Sequence, residues 1–216
     1  LHFGFGDSAY ANESRAAAEK NGYSNFLLAS YAIPAGFLPV VLPLTDKRTL
    51  DVLQELNPTL INWAGTFTVL LRNSTLIIAA FSILLLVLTR NYSLALDLVL
   101  LSALSFLAPP LVAFAVYFGF WHAIRHTARL VPKLPSAMQK VSTGNPLASF
   151  FAAVVPGLYA ILGIFLLGIF FVARGTTDLS SDFLWVILVI IWALTVPHMA
   201  TTAKFDLRAF KSSFRP

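Results

Sequence analysis

The sequence predicts an all-α fold, a polytopic transmembrane helix bundle of about six full spans preceded by the end of a truncated first helix, on three observations. Of the 216 residues, 57% are hydrophobic and only 12% charged, with a mean hydropathy of +0.76; no soluble domain needs that much apolar surface. Runs such as Leu76–Leu88 and Leu158–Val172 carry no charge, and with their neighbours they approach the roughly 20 apolar residues that a hydrocarbon core about 30 Å thick demands. The Lys and Arg residues fall unevenly between alternate connections, as orientation in a membrane requires. A β-barrel is excluded because its strands would alternate apolar and polar residues, whereas these runs are continuous.

Along the chain, Leu1–Gly6 is apolar but too short to span or to be a signal peptide, so residues 1–7 are read as the end of a truncated helix, followed by the polar Asp7–Ser24. Asn25–Leu44 is apolar and interrupted by Pro34, Pro39 and Pro43, which predicts a kinked span. Thr45–Pro58 is a polar connection whose Leu50, Leu53 and Leu56 stand at helical spacing, predicting a short amphipathic helix at the interface. Further spans are expected at about 66–89, 93–107, 109–130, 147–173 and 183–203, with Pro109-Pro110 marking a break between the second and third of these. Val131–Pro146, which holds Pro132, Pro135 and Gly144, reads as a loop, and 204–216 as a basic cytoplasmic tail. No fixed-period repeat or low-complexity tract divides the chain, so 1–216 is read as one domain.

If sides alternate, one side holds Arg15, Lys20, Arg90, Arg125, Arg129, Lys133, Lys140, Lys204, Arg208, Lys211 and Arg215, and the other only Lys47, Arg48, Arg72 and Arg174. That bias assigns the first side to the cytoplasm, and a multi-pass protein of the cell inner membrane is expected. The net charge of +5 and pI near 9.7 then report orientation and not nucleic-acid binding, because the aromatic residues sit in apolar runs and not among the basic ones. Cysteine is absent, which removes thiolate metal sites, disulfides and cysteine nucleophiles.

The four histidines are His2, His122, His126 and His198, and in this topology each lies near the cytoplasmic end of its span. His122 and His126 are four residues apart, which on a helix separates them by about 40° around the axis and about 6 Å along it. Both rings then face one ion. The alternative is a hydrogen-bonded couple or interfacial anchor, but ionisable residues within a membrane are costly and tend to face a functional interior. His198 follows Pro197, whose kink frees a carbonyl, so ligation and a structural role both stand. An all-imidazole set suits iron, copper, nickel or zinc. Asp7 follows His2 by five residues and is either the acceptor for the second N–H of a ligating imidazole or a solvated helix terminus.

The segments LHFGFGD (Leu1–Asp7), FGFWHAIRH (Phe118–His126) and TVPHM (Thr195–Met199) together resemble the Brp/Blh family of membrane β-carotene 15,15′-dioxygenases, with order and context matching over nearly the whole chain. The resemblance implies a non-haem Fe(II) enzyme that uses O2 to cleave the central double bond of β-carotene into two retinals, which typically supply a microbial rhodopsin. It implies His2, His122 and His126 as iron ligands, with a further histidine in an earlier helix absent from this chain. His198 is then a fourth ligand, an outer residue or a substrate-side group beside Met199. Phe118, Trp121 and Met199 would line the path of the polyene, the alternative being ordinary packing and lipid-facing side chains. Tyr117 is either a donor toward bound oxygen or a helix anchor.

Three rivals remain. A di-iron desaturase needs about eight or more histidines, and four cannot fill two irons. A haem-binding electron carrier would pair histidines across a haem from facing helices, whereas an i, i+4 pair addresses one small ion. A metal transporter would be expected to place paired acids and broken helices near the bilayer midplane.

Overall fold

The computed structural model describes residues 2–19, 21–56, 65 and 67–174, and among these there are helices and no strand. The helices are α1 (His2–Glu19), α2 (Asn25–Leu44), α3 (Lys47–Leu56), α4 (Phe67–Leu88), α5 (Tyr92–Leu107), α6 (Pro110–Val116), α7 (Ala123–Leu130), α8 (Pro135–Ser142) and α9 (Pro146–Ala173). A π-helical turn (Tyr117–His122) joins α6 to α7, and a 3₁₀ turn (Val131–Lys133) follows α7.

At the centre stands α2, packed against α1, α4, α5 and α6. Ser24 starts it by accepting from the Leu27 N–H, and the helix continues through all three prolines, each of them buried; a helix inside a bundle tolerates such breaks because its neighbours satisfy the freed backbone. Tyr31, Ala35, Leu38 and Leu42 of α2 meet Ala79 and Leu86 of α4, Leu94, Ala95, Leu98 and Leu101 of α5, and Tyr117. Against α1 the fit is closer still. A Cβ on Gly4 would collide with the backbone of Ala32 and of Gly36, so a small residue there is what lets the two helices touch.

The peripheral helix α4 is patterned the opposite way from a soluble helix. Its buried residues are Thr75, Ala79, Ser82 and Leu86, one narrow stripe at helical spacing made mostly of small side chains. Phe67, Val69, Leu70, Ile77, Phe81, Leu84 and Leu88 are exposed. Small residues inward and large apolar residues outward is the arrangement of a helix facing lipid. By length and hydropathy α2 and α4 are both able to cross a membrane, with 61% of the apolar stretch buried in α2 and 22% in α4. Between α4 and α5 the chain reverses at Arg90, which adopts a positive φ of 60°.

Three expectations are corrected. The first helix does not end at Asp7 but runs to Glu19, because the Ala-rich segment that follows favours helix and finds protein partners in Arg129 and Tyr23. Within 131–146, read as a loop, Pro135 opens the helix α8, as proline suits a first helical turn. The span 109–130 is not a uniform α-helix, since the Ala123 N–H reaches back five residues to the Phe118 carbonyl. The expected span 183–203, with His198 and Met199, and the tail 204–216 lie outside the described residues.

Candidate metal centre

One face of α1 carries Phe3 and Asp7, which are i and i+4 and therefore neighbours on the helix surface. The opposing wall is the π turn. On a regular α-helix Tyr117 and His122, five residues apart, would diverge by about 140°; the wider π turn brings both inward, and both are buried. They meet on one carboxylate. Tyr117 Oη donates to Asp7 Oδ2 at 3.0 Å, and His122 Nδ1 lies 3.2 Å from Asp7 Oδ1. Asp7 is 0% exposed and His122 3%.

An ionised carboxylate only accepts, so the Nδ1 of His122 carries the proton and Nε2 keeps its lone pair. That Nε2 is buried and has no hydrogen-bond partner. A buried acceptor left unsatisfied costs about 1–3 kcal/mol, and such an atom in a native site calls for an explanation. Around it the Phe3 ring stands edge-on to His122 at 4.8 Å between centroids, and Phe118 lies more nearly parallel at 6.4 Å. Phe118 is itself half-exposed, which opens this wall to the bundle surface.

The neighbouring histidines form two pairs about His122. His2 lies 5.8 Å away, centroid to centroid and edge-on, and His126 lies 6.0 Å away with its ring nearly parallel. Imidazoles bonded to one ion at about 2.1 Å have ring centres roughly 5–6 Å apart at tetrahedral or wider angles, so both pair separations fit a shared ion. Among the described residues no three His, Asp or Glu side chains are grouped closely enough to hold a metal ion. The donor chemistry nonetheless suits a metal, since three neutral nitrogen ligands are at hand and one has its second nitrogen already engaged by a carboxylate, as metal-bound histidine requires. Asp7, whose partner the sequence left open between helix solvent and an imidazole, is paired with His122.

A second polar cluster lies on the next turn. Arg125 donates from Nη1 to Tyr31 Oη at 2.9 Å and from Nη2 to Asp97 Oδ2 at 2.8 Å, while Tyr31 Oη donates to the same Asp97 oxygen at 3.1 Å. The guanidinium also covers the Trp121 ring at 4.1 Å, a cation–π contact that pins Trp121. Farther along, Arg129 grips Glu13 through Nε and Nη2 at 3.0 and 3.1 Å. The two arginines thus fix α7 to α5, α2 and α1.

Sequence reasoning missed the partners of Tyr117 and the whole Tyr31–Asp97–Arg125 cluster. Asp97 had a visible signal, a carboxylate in the middle of the apolar YSLALDLVLL, where an unpaired charge is not tolerated. The Tyr117–His122 pairing had none, because it depends on a π turn that a regular helix forbids.

A family model described as beta-carotene 15,15′-dioxygenase matches residues 1–206. Among curated proteins, the chain is 33% identical over 115 residues to a probable beta-carotene 15,15′-dioxygenase Blh of Halobacterium salinarum, covering 52% of this chain and 33% of that protein. It is 31% identical over 112 residues to a beta-carotene 15,15′-dioxygenase of an uncultured marine bacterium 66A03, covering 51% of this chain and 38% of the relative. The chain therefore matches little more than a third of the length of these relatives. No solved structure matches.

Proposed function

The chain belongs to the beta-carotene 15,15′-dioxygenase family, and from that premise we propose that it is the membrane-embedded part of an iron-dependent enzyme that cleaves β-carotene with O2 at the central double bond. One C40 polyene and one O2 give two C20 aldehydes, so every atom is accounted for and no further reductant is needed. The observation that carries the reading is the buried, unpartnered Nε2 of His122 with its Nδ1 engaged by Asp7.

In this reading His122 anchors Fe(II), with His2 and His126 as the neighbouring ligands and His198 as a further ligand from outside the described residues. Bound there, the metal supplies the redox chemistry that brings O2 and the electron-rich polyene together. The chain does the rest. Asp7 and Tyr117 hold the His122 ring in one tautomer and one orientation, and the Phe3 and Phe118 rings exclude water around it. Phe118, half-exposed beside the histidines, offers an apolar side chain to a substrate arriving from the bilayer. Trp121, held under Arg125, and Met199 complete the proposed substrate wall. The histidines are placed near the cytoplasmic face of the inner membrane, and the retinal produced would be delivered to the lipid and to a microbial rhodopsin.

Expression of the whole protein in β-carotene-producing cells is expected to bleach the orange pigment and yield retinal. Persistent colour with folded, iron-loaded protein would overturn the reaction. Metal analysis of the purified protein should find iron, with His122→Ala nearly devoid of it; a Soret band instead would point to haem.

A further inference from the structure

Two donors converge on Asp7, and only one of them belongs to a ligand. The other, the hydroxyl of Tyr117, is buried at 0% exposure and is directed at Oδ2, away from the histidine rings. Its own ring stands edge-on to Phe3 at 5.9 Å and tilted against His122 at 6.1 Å, so its place is fixed on both faces. A π turn, uncommon and often found where function needs it, is what sets Tyr117 and His122 side by side.

We infer that Tyr117 is a positioning residue of the metal centre, which through Asp7 fixes the tautomer and the aim of His122. The inference rests on the metal-centre reading above. By occupying Oδ2, the Tyr117 hydroxyl leaves Oδ1 as the acceptor that faces the imidazole and stops the carboxylate from turning. The Nδ1–H is thereby held on Asp7 and the lone pair of Nε2 is held toward the neighbouring rings. Without the hydroxyl the carboxylate gains a rotational freedom that the ligand then shares. Groups of this kind around metal ligands are worth roughly 10–100-fold in metal affinity. Tyr117 touches neither the ion nor the substrate in this arrangement, which separates its role from that of a proton donor to oxygen.

The test uses the whole protein purified in detergent, with Co²⁺ as the probe. Tyr117→Phe keeps the ring and removes one hydroxyl; it is expected to weaken Co²⁺ binding about tenfold and to shift the visible ligand-field bands. In an Asp7→Asn background the same change should add nothing, because the path runs through Asp7. Tyr31→Phe, an equivalent deletion on the other carboxylate, should leave both readouts where they are. Unchanged affinity in Tyr117→Phe, or losses that add in the double variant, would sink the inference while leaving the metal centre standing. Wild-type protein that binds no Co²⁺ or Fe²⁺ would remove both. A variant-free measurement covers the case of misfolding: nitrogen NMR of histidine-labelled, metal-free protein should show His122 protonated at Nδ1 and bare at Nε2, and the opposite tautomer overturns the proposal.

Discussion

Two carboxylates inside the bundle have nearly the same neighbours and opposite consequences. Asp97 accepts from the Tyr31 hydroxyl and from Arg125, and Asp7 accepts from the Tyr117 hydroxyl and pairs with His122. The arginine closes its cluster, because its charge cancels that of Asp97 and its donors are spent within the protein. The histidine does not close the other, because its far nitrogen is left buried and unpartnered. A satisfied polar network rigidifies a fold, and an incomplete one marks the place where something else is meant to bind. Exchanging one cationic side chain for one imidazole is enough to turn a fastening into a site.

The contrast can be broken most severely at Arg125. Arg125→Ala leaves Asp97 in the bundle without its counter-charge and is expected to cost about 3 kcal/mol of stability, read as earlier unfolding in detergent, with metal content per folded molecule retained. If the cluster is purely a fastening, the apolar pair Asp97→Leu with Arg125→Met should recover most of that loss; failure to recover would mean the charges serve more than the fold. Gly4→Ala comes next, at roughly 2 kcal/mol, because the added methyl meets the Ala32 backbone and pushes α1, with Asp7, away from the π turn. It should lower stability and metal content together, whereas an effect on stability alone would show that Asp7 does not depend on this close approach.

The sharpest comparison is the smaller one. Tyr31→Phe and Tyr117→Phe each delete one hydroxyl bonded to a buried carboxylate, and each should cost about 1 kcal/mol. Equal costs in unfolding experiments, with metal affinity changed only for Tyr117, would establish the two clusters as alike in energy and different in purpose.

A third carboxylate sets the lower limit. Asp46 caps α3 by accepting from the Arg48 N–H at 2.9 Å and also binds the Arg48 guanidinium at 3.0 Å, and these hydrogen bonds hold its carboxyl below the usual carboxylate value. A lowered folded-state value makes the stabilisation complete above the ordinary pKa of about 3.9 and removes it as pH falls through the lowered value. Asp46→Ala should therefore cost under about 1 kcal/mol at neutral pH and nothing in strong acid, measured by hydrogen exchange of the α3 amides.

What the sequence disclosed and what it hid divide along physical lines. Hydropathy marks helices wherever long apolar runs occur, and it placed α2 and α4 closely because their boundaries are set by polar residues and caps. It failed at Asp7–Glu19, where a polar composition was read as a connection although alanine content and long-range pairing keep the helix going. The histidine spacing pointed to the right turn of the right helix, since i, i+4 is a local relation. The role of Tyr117 and the identity of Asp7's partner were illegible because each joins residues more than a hundred positions apart across a turn of non-standard pitch.

That turn has one further consequence. A π turn closes its hydrogen bond over one more residue than an α turn does, so the segment 117–122 holds a surplus residue that sets the phase of everything after it. Deleting one codon within Phe118–Phe120 would leave a helix with better internal bonding, yet it would rotate the downstream helix by about 100° and draw it back about 1.5 Å. Arg125 would turn from Asp97, Arg129 from Glu13 and His126 from its neighbours in a single step. Point substitutions here change one contact at a time, whereas a change of length shifts all of them, and selection on this stretch must act on its residue count as strictly as on its chemistry.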